Sequence, residues 1–350
     1  MNSEHKKVYV GMSGGVDSSL SAALLKEQGY DVTGVFIKVW QPDFIECTWR
    51  DDRRDAMRVA SELDIPFVTL DLEKEYKEGV IEYMMREYEA GRTPNPDVMC
   101  NREVKFGAFW KWAKENGADY IATGHYAVTD NTHLIMSKDQ NKDQTYFLWT
   151  LTSNDLEHVL FPIGHMTKDE VRIEAEKRGL YTHAKKDSQG LCFVGTIDVK
   201  EFLIQTLGKR IGNILDEQGE IIGTHDGAIF YTIGERHGFT ITKKKGDIAA
   251  QYIIAKDTEK NTITVSDVPP ETKTGKEVHL DTVSFVADIP TEETVYEARA
   301  RYRAPLVKVK IVKKIDGWVI TPEEEGLVAV SGQSLVLYKN NRCLGGGIIV

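Results

Sequence analysis

The stretch Gly11-Met12-Ser13-Gly14-Gly15-Val16-Asp17-Ser18-Ser19 is the most informative feature of the chain, because it stands between the strand-like run KKVYV and the helix-like run LSAALLKEQG. Adjacent glycines let successive backbone N–H groups converge on one point, nearby serines add hydroxyl donors, and the following helix directs its positive end there. We therefore predict a phosphate-binding turn; an ordinary glycine turn is the alternative. A kinase-type phosphate loop would need a Lys after its last glycine, and a dinucleotide fingerprint would need three widely spaced glycines, so both are excluded.

The first 150 residues alternate strand-like and helix-like patterns, which predicts a doubly wound α/β domain with a mostly parallel sheet. The strand-like runs are KKVYVGM, DVTGVFIKVW, IPFVTLDL and ADYIATGHYA, and helix-like stretches include 51–63 and 106–116. Ligands of such sheets gather beyond the carboxyl ends of the strands. The phosphate turn, Ile37 and Gly124-His125 are therefore predicted to line one crevice.

The second half of the chain is predicted to be largely β. Thr167 and Glu170 form a capping box that opens the helix TKDEVRIEAEKRGL, but from about residue 209 strand-like runs and Gly-containing turns dominate. The stretch PPETKTGKE is a plausible linker within this half. We predict a catalytic domain over 1–205, a small mostly β central domain over 206–270 and a C-terminal β-barrel domain over 275–350.

Composition limits the possible classes of protein. The chain has 350 residues, 41% hydrophobic content and a formal net charge of -10. It has no apolar run of about 18 residues and no signal-like segment before the first strand, so we expect a cytoplasmic protein without a membrane partner. The cysteines, Cys47, Cys100, Cys192 and Cys343, fit neither a disulfide scaffold nor a CxxC zinc site. We interpret Cys47 and Cys343 as packed residues.

Cys100 and Cys192 are candidate reactive thiols. They lie in NPDVMCN and KKDSQGLCFVG, which we predict to be loop-like and polar on one side. Asp97 is close to the first thiol in sequence, and Lys185 and Lys186 bring positive charge near the second. Each cysteine could equally be packed as a small apolar residue.

A basic strip in the second half suggests a nucleic-acid partner, although the net negative charge argues against RNA binding over the whole surface. Seven basic residues and no acidic one lie between 299 and 314: Arg299, Arg301, Arg303, Lys308, Lys310, Lys313 and Lys314. The alternation in VKVKIV places Lys308 and Lys310 on one face of a strand. That face could meet phosphates, or it could simply be solvated.

Several segments together carry a family resemblance. They occur in the order SGGVDSS, NPDVMCN, ATGHYA, KDQTYFL, DSQGLCFVG, HDGAIFYTIGERHG, RYR and SGQSLVLYKNNRCLGGG. The first resembles the loop of ATP pyrophosphatases, which split ATP into AMP and pyrophosphate. With the two cysteine motifs and the terminal GGG, the chain resembles, over essentially its whole length, the tRNA-specific 2-thiouridylase family. Members thiolate the wobble uridine of lysine, glutamate and glutamine tRNAs.

The resemblance implies that ATP activates the uracil. The C2 oxygen is a poor leaving group, so the family transfers AMP to it and releases pyrophosphate. Asp17 is implied to help place Mg²⁺ or the pyrophosphate. The implied ATP-binding residues are Gly11, Met12, Ser13, Gly14, Gly15, Val16, Asp17, Ser18, Ile37 and Gly124.

The resemblance also implies a path for sulfur. Cys192 would carry a persulfide received from a persulfide-carrying sulfur-donor protein or a cysteine desulfurase, and Cys100 would be its partner. Either the persulfide attacks C2 itself or Cys100 first releases hydrosulfide; both routes end in a Cys100–Cys192 disulfide that a reductant must open. Asp97 is implied to act on the uracil as acid or base or to hydrogen-bond it, and a turn-capping Asp is the alternative.

The implied RNA contacts come from three regions of the sequence. Asn95, Pro96 and Asp97 would hold the target base, which must leave the anticodon stack. The implied tRNA-binding residues are His125, Lys142, Asp143, Gln144, Arg301, Tyr302 and Gln333. For His125, orienting the nucleotide and a purely structural role are the alternatives. The stretch ERHGFTITKKKG departs from a more glycine-rich, less basic family pattern, so contacts made by the central domain are the least certain to carry over.

Other functions are compatible with parts of this pattern. A 4-thiouridine synthase or an amidating ligase would share the adenylation step but not its acceptor, and the paired cysteine motifs argue against the ligase. A nucleotide-gated RNA-binding protein without chemistry would not need either cysteine. Asp97, Cys100 and Cys192 could also ligate an iron–sulfur cluster, although such clusters usually take three or four cysteines.

Overall fold

The computed structural model describes residues 6–44, 49–186, 199–242, 250–270, 274–315 and 317–350. Cys47 and Cys192 lie outside the described residues, so the structure does not place either one. Within the described ranges, no helix is both long and apolar enough to cross a membrane.

The N-terminal region is built on the predicted parallel sheet, in the strand order β3-β2-β1-β4-β7. Its strands and the nearby hairpin are β1 (Lys7–Gly11), β2 (Asp31–Lys38), β3 (Phe67–Asp71), β4 (Tyr120–Ala122), β5 (Ala127–Thr129), β6 (Leu134–Met136) and β7 (Val159–Leu160). The helices are α1 (Val16–Glu27), α2 (Trp49–Glu62), α3 (Glu73–Tyr76), α4 (Glu82–Glu89), α5 (Pro96–Met99), α6 (Phe109–Glu115), α7 (Ser153–Leu156), α8 (Lys168–Lys177) and α9 (Val199–Leu207). The doubly wound α/β class is confirmed.

Local sequence sets the ends of the helices that matter for the site. Helix α1 begins after Gly15, whose backbone is extended, and the chain leaves it through Gly29 at φ +89°. The predicted capping box of α8 is confirmed, because the Thr167 hydroxyl accepts from the Glu170 N–H and the Glu170 carboxylate accepts from the Thr167 N–H. Both helices therefore start at positions that the sequence specifies.

The loop predicted around Cys100 is wrong. Asn95 caps α5, and the chain continues through a π-helical segment, Cys100–Ala108, directly into α6. Gly107 permits the wide turns, because a Cβ there would lie 2.7 Å from the Arg102 carbonyl oxygen five residues earlier. Apolar side chains of this continuous helix, including Val104 and Phe109, are fully buried. Burial of that face overrides the polar appearance of NPDVMCN.

The second half is β, as predicted. The central sheet has the order β10-β9-β8-β12-β11, and the C-terminal strands close into a barrel in the order β13-β16-β15-β14-β17-β18 and back to β13. The central strands are β8 (Gly212–Leu215), β9 (Ile221–His225), β10 (Thr240–Ile241), β11 (Tyr252–Asp257) and β12 (Thr262–Ser266). The barrel strands are β13 (Val278–Phe285), β14 (Tyr296–Arg299), β15 (Val307–Lys314), β16 (Gly317–Pro322), β17 (Ser334–Lys339) and β18 (Arg342–Ile349).

The barrel is joined to the N-terminal region by a sheet. Strand β18 pairs with β17 and β13, and its first residues also pair with β6, with Cys343 opposite Leu134. One buried apolar cluster contains Val104 of the N-terminal region, Ile253 of the central sheet and Tyr338 of the barrel. The three regions thus share a core, and the exact domain boundaries stay a prediction.

Candidate active site

The phosphate turn has the geometry that its sequence predicts. Gly14 has φ +74°, the left-handed region that suits glycine, and the Ser18 hydroxyl accepts from the Ser13 N–H at 3.2 Å. Ser19 donates its hydroxyl to the Gly15 carbonyl at 2.7 Å. These bonds fix the turn at the start of α1, where unpaired backbone N–H groups and the helix dipole attract an anion.

Two neighbouring segments pack closely against this turn. A Cβ on Gly14 would lie 2.4 Å from the Asp52 carbonyl oxygen at the start of α2, and a Cβ on Gly124 would lie 2.7 Å from the Ser18 nitrogen. Gly124 follows β4, so the structure brings the phosphate turn and Gly124 together at the carboxyl end of the sheet. Ile37, at the end of β2, is 4% exposed, and Met12 is 1% exposed. These apolar side chains border the same edge and suit a nucleoside base.

Asp17 is held by two residues far away in sequence. Its two carboxylate oxygens each accept from the Lys168 ammonium at 2.8 Å, and one also accepts from the Tyr126 hydroxyl at 2.8 Å. The Lys168 side chain is only 12% exposed. A desolvated ammonium is thus placed at the mouth of the phosphate turn, where it can meet a nucleotide phosphate.

Cys100 lies at the start of the π-helical segment and is 1% exposed. In front of it, the Asn95 side chain accepts from the Val98 N–H at 3.4 Å, so Asn95 is the helix cap. Asn95, Pro96 and Asp97 are all half-buried. The structure thus keeps this short segment partly accessible beside a buried thiol.

His125 lies inside the protein. Its Nδ1 is 2.7 Å from the Thr123 hydroxyl and its Nε2 is 3.4 Å from the Lys105 ammonium, while the rings of Phe106 and Phe161 pack around it. Burial, reinforced by the charge of Lys105, lowers the pKa of His125 well below its usual value. The ring therefore joins the Cys100 helix to the end of β4, and its contact with RNA stays a prediction.

The predicted tRNA-binding residues of the loop after β6 differ in accessibility. Lys142 and Gln144 are half-buried, but Asp143 is 1% exposed and accepts from the Ser137 N–H at 2.9 Å and the Thr145 hydroxyl at 2.7 Å. Burial raises the pKa of Asp143, although these bonds oppose the shift. Asp143 thus lies beneath the surface of the loop, where its hydrogen bonds hold the loop in shape.

The predicted tRNA-binding residues of the barrel lie around the Asn95 segment. The Gln333 amide donates to the Thr93 carbonyl at 2.8 Å and to the Pro94 carbonyl at 3.2 Å. Arg301 is exposed, and the half-buried Tyr302 packs on Phe147 with ring centroids 4.6 Å apart. The structure therefore brings Arg301, Tyr302 and Gln333 to one side of the molecule.

The basic strip is less open than its sequence suggests. The predicted alternation of β15 is confirmed, with Lys308 and Lys310 exposed, but these side chains pair with glutamates at 4.0 Å and 3.2 Å. Arg299 is 7% exposed. The segment that follows β16 therefore neutralises part of this face, because it brings Glu324 and Glu323 beside Lys308 and Lys310. Arg301 and Arg303 stay exposed.

Lys185 has carboxylate partners close to the phosphate turn. Its ammonium lies 3.0 Å from Asp52 and 2.6 Å from Asp55 on α2. Burial opposes its charge, but the hydrogen bonds of Asp55 and Asp52 raise the pKa of Lys185 overall. Because Cys192 lies outside the described residues, the influence of Lys185 on that thiol stays a prediction.

Comparison with protein families matches three successive models to the chain. They are a tRNA methyl transferase HUP domain over residues 6–196, a tRNA methyl transferase PRC-barrel domain over 200–267 and an aminomethyltransferase β-barrel domain over 276–349. A tRNA-specific 2-thiouridylase MnmA of Streptococcus thermophilus is 46% identical over 98% of this chain and 95% of that protein. The chain belongs to the tRNA-specific 2-thiouridylase family. Relatives of the same name in Streptococcus sanguinis and Enterococcus faecalis are each 44% identical, with the same coverage.

Similarity of this 2-thiouridylase family member to solved structures is distant. A 4-thiouridine synthetase–RNA complex with bound ATP has a TM-score of 0.38 and 21% identity, covering 55% of this chain and 46% of that one. A U34-tRNA thiolase NcsA of Methanococcus maripaludis with its [4Fe-4S] cluster has a TM-score of 0.37 and 17% identity, covering 57% and 66%.

Sequence reasoning missed Lys168 in this 2-thiouridylase family member. Lys168 carries no motif of its own, and its position as the first residue of a capped helix was the only available signal. Asp17 accepts from Lys168 with both carboxylate oxygens, and its role in placing Mg²⁺ or the pyrophosphate stays a prediction.

Proposed function

We propose that this chain is a tRNA-uridine 2-sulfurtransferase, which thiolates the wobble uridine of lysine, glutamate and glutamine tRNAs and converts ATP to AMP and pyrophosphate. The observation that carries this proposal is the 46% identity to a tRNA-specific 2-thiouridylase over 98% of the chain. The phosphate turn, with Lys168 beside it, supports the use of ATP. A tRNA substrate in turn places the protein in the cytoplasm.

The first half-reaction is adenylation of the uracil. The C2 oxygen attacks the α-phosphorus of ATP, pyrophosphate leaves, and C2 now bears a good leaving group. Charge builds on the phosphates in the transition state, so the N–H groups of residues 11–18 and the Lys168 ammonium stabilise it. Magnesium arrives with ATP as part of the substrate, because the phosphates and water can supply most of its oxygen ligands.

The second half-reaction replaces oxygen by sulfur. A persulfide on Cys192, supplied by a sulfur-donor protein or a cysteine desulfurase, attacks C2 and AMP leaves; Cys100 then attacks the Cys192 sulfur, which breaks the S–S bond and leaves the sulfur on C2. If Cys100 attacks first, it releases hydrosulfide, which then attacks C2. Both routes form a Cys100–Cys192 disulfide and require an external thiol reductant.

The target base would enter beside Cys100. Asn95, Pro96 and Asp97 are half-buried at the start of the Cys100 helix, which suits a base that has left its stack. Asp97 would hydrogen-bond the uracil or move a proton there. Burial of Cys100 keeps water from its sulfur before RNA is bound.

The test is a reconstituted reaction with ATP, Mg²⁺, a sulfide source and unmodified tRNA, followed by nucleoside mass spectrometry. We expect ATP-dependent 2-thiouridine; 4-thiouridine, or no thionucleoside from folded protein, would overturn the proposal. With a protein persulfide as donor, Cys192→Ala should abolish thiolation while AMP formation continues. Cys343→Ala is the matched control, because Cys343 is buried and burial raises its pKa to about 12.

A further inference from the structure

A pocket lies where the three regions of the chain meet. It has a volume of about 310 Å³ and is lined by Thr93, Thr232, Glu235, Arg301 and Gln333. Thr93 belongs to the N-terminal region, Thr232 and Glu235 to the central region, and the other two to the barrel. A volume of this size lies within the range of small-molecule sites.

Backbone and side-chain bonds hold the pocket in shape. The Thr93 N–H donates to the Ser331 carbonyl at 2.9 Å, and Gln333 holds the Thr93 carbonyl. The Thr232 hydroxyl donates to the Thr93 hydroxyl at 3.4 Å, and the Thr232 N–H donates to one oxygen of the Glu235 carboxylate at 3.0 Å. A Cβ on Gly332 would lie within 2.9 Å of the Thr93 backbone, so the barrel approaches this wall as closely as glycine allows.

The pocket stands next to the proposed base site. Thr93 and Asn95 are two residues apart, and two extended residues span at most about 7 Å. A base held at Asn95–Asp97 therefore brings the sugar and phosphate of its own or a neighbouring nucleotide within reach of the pocket.

The chemistry of the lining favours a ribose with its phosphate. The guanidinium of Arg301 suits a phosphodiester. The carboxylate of Glu235, which already accepts from the Thr232 N–H, repels a phosphate and favours a hydrogen-bond donor on the ligand. A ribose 2′-hydroxyl is a donor that lies next to a phosphate in every RNA nucleotide, and it distinguishes RNA from DNA. A pocket lined by one cationic and one anionic side chain fits this pair.

We propose that this pocket binds a ribose–phosphate unit of the anticodon loop within one nucleotide of the target uridine, with Glu235 accepting from the 2′-hydroxyl and Arg301 contacting the phosphate. The inference rests on the proposed function and extends it to the central region. It makes Glu235 a specificity-determining residue for RNA.

The test measures binding of an anticodon stem-loop RNA by fluorescence anisotropy. Four RNAs are compared: the all-ribose form and forms with one 2′-deoxy sugar at the target uridine or at either neighbour. The proteins are wild type, Glu235→Gln, Glu235→Ala, Thr232→Val and, as a matched control, Glu259→Gln in an exposed turn of the same region. Circular dichroism confirms that each variant is folded.

We expect one deoxy substitution to weaken wild-type binding by about 10-fold, the usual effect of losing a hydrogen bond to a charged group. The Glu235→Ala protein should bind the all-ribose RNA more weakly by a similar factor. The same deoxy sugar should then have no further effect on its affinity. Thr232→Val keeps the N–H that orients Glu235, so it should keep the sensitivity to deoxy sugar. A carboxylate that merely lies near RNA repels it, so its removal would tighten binding; Glu259→Gln should leave binding unchanged or slightly tighter.

Tighter binding by both Glu235 variants, or equal sensitivity of wild type and Glu235→Ala at all three sugars, would overturn the proposal. Thiolation of the all-ribose RNA is measured in parallel. If wild type thiolates the RNA but the effect of a deoxy sugar on binding does not depend on Glu235, only the proposed ribose contact in the pocket is refuted. If the RNA binds and the effect of a deoxy sugar depends on Glu235, but no thiolated product forms, the proposed activity is refuted and the ribose contact is retained.

Discussion

Asp17 and Lys168 form an ion pair at the phosphate turn. A carboxylate in the first turn of a helix is stabilised by the helix dipole but repels an incoming phosphate. Lys168 neutralises it with two contacts of 2.8 Å, across a separation of 151 residues. The pair thus holds the ammonium beside the phosphate turn.

Replacing Lys168 tests this arrangement. Lys168→Met should lower the rate of tRNA-dependent AMP formation by about 10²-fold, because one charged donor to the transition state is lost. The rate is measured with saturating ATP and tRNA. Lys177→Met, on an exposed part of the same helix, is the control and should keep the wild-type rate. A Lys168→Met rate within twofold of wild type would refute the role.

His125 makes stability depend on pH. Burial holds the pKa of this ring well below its usual value, so between that value and pH 6.5 the unfolded chain binds a proton that the folded chain does not. The contribution is present above pH 6.5 and is lost as pH falls, by at most about 1.4 kcal/mol per pH unit.

His125→Gln should therefore flatten the fall in unfolding free energy between pH 7 and pH 5, even if it lowers stability at pH 7. Urea denaturation at both pH values measures the difference. His165→Gln, at an exposed histidine, is the control and should retain the wild-type slope. An unchanged slope for His125→Gln would contradict the interpretation.

At the scale of elements, glycine decides how closely segments approach. Gly14 and Gly117 both adopt left-handed backbone, at φ +74° and +81°, but a Cβ on Gly14 meets Asp52 whereas a Cβ on Gly117 meets nothing within 4 Å. Gly107 has a third role, since it permits the π-helical turns that carry Cys100 into the core. A sequence pattern marks such glycines as turns or helix weak points but does not say what they contact.

The two left-handed glycines form a matched pair of substitutions. Gly117→Ala should cost only about 1 kcal/mol of unfolding free energy, the price of left-handed backbone for alanine. Gly14→Ala should cost more and should also weaken ATP binding at least 10-fold, because α2 must move away from the phosphate turn. Calorimetric titration with ATP and urea denaturation give the two quantities. If both substitutions had equal effects on the unfolding free energy and on ATP binding, the close approach of Asp52 to Gly14 would be unimportant for both properties.

At the scale of the molecule, the barrel is fastened to the nucleotide-binding region by buried polar bonds as well as by β18. The Tyr146 hydroxyl lies 3.2 Å from the Ala300 carbonyl and 3.0 Å from the Ser334 carbonyl, and the Trp149 ring nitrogen donates to the Ser334 hydroxyl at 3.0 Å. Burial raises the pKa of Tyr146, which keeps its hydroxyl a donor. These contacts position Arg301 and Gln333 beside the Asn95 segment.

Tyr146→Phe removes this fastening without changing the ring. It should lower the unfolding free energy by about 1–3 kcal/mol, because buried carbonyls lose a donor, and should raise the KM for tRNA more than the KM for ATP. Tyr181→Phe is the control, since Tyr181 is exposed and its ring, retained in Phe, packs under Arg58. A larger rise in the KM for ATP than in the KM for tRNA would contradict the idea that the barrel positions RNA.

Local sequence signals were sufficient to predict the phosphate turn, the strands and helices around it, the capping box of α8 and the β character of the second half. Each depends on residues a few positions apart: glycines that allow left-handed backbone, a threonine and glutamate three residues apart, and alternating apolar side chains. Such signals act through local backbone geometry, so they can be interpreted without the fold.

The packed fold was needed to show that Lys168 meets Asp17, that Cys100 is buried in a helix, and that glutamates just after β16 pair with the lysines of β15. It also decided that Thr93, Glu235 and Arg301 share one pocket. These contacts join residues that are tens to hundreds of positions apart. Whether they form depends on how whole sheets and helices pack together. The free energy of that packing depends on the entire chain, so it cannot be inferred from a short stretch of sequence.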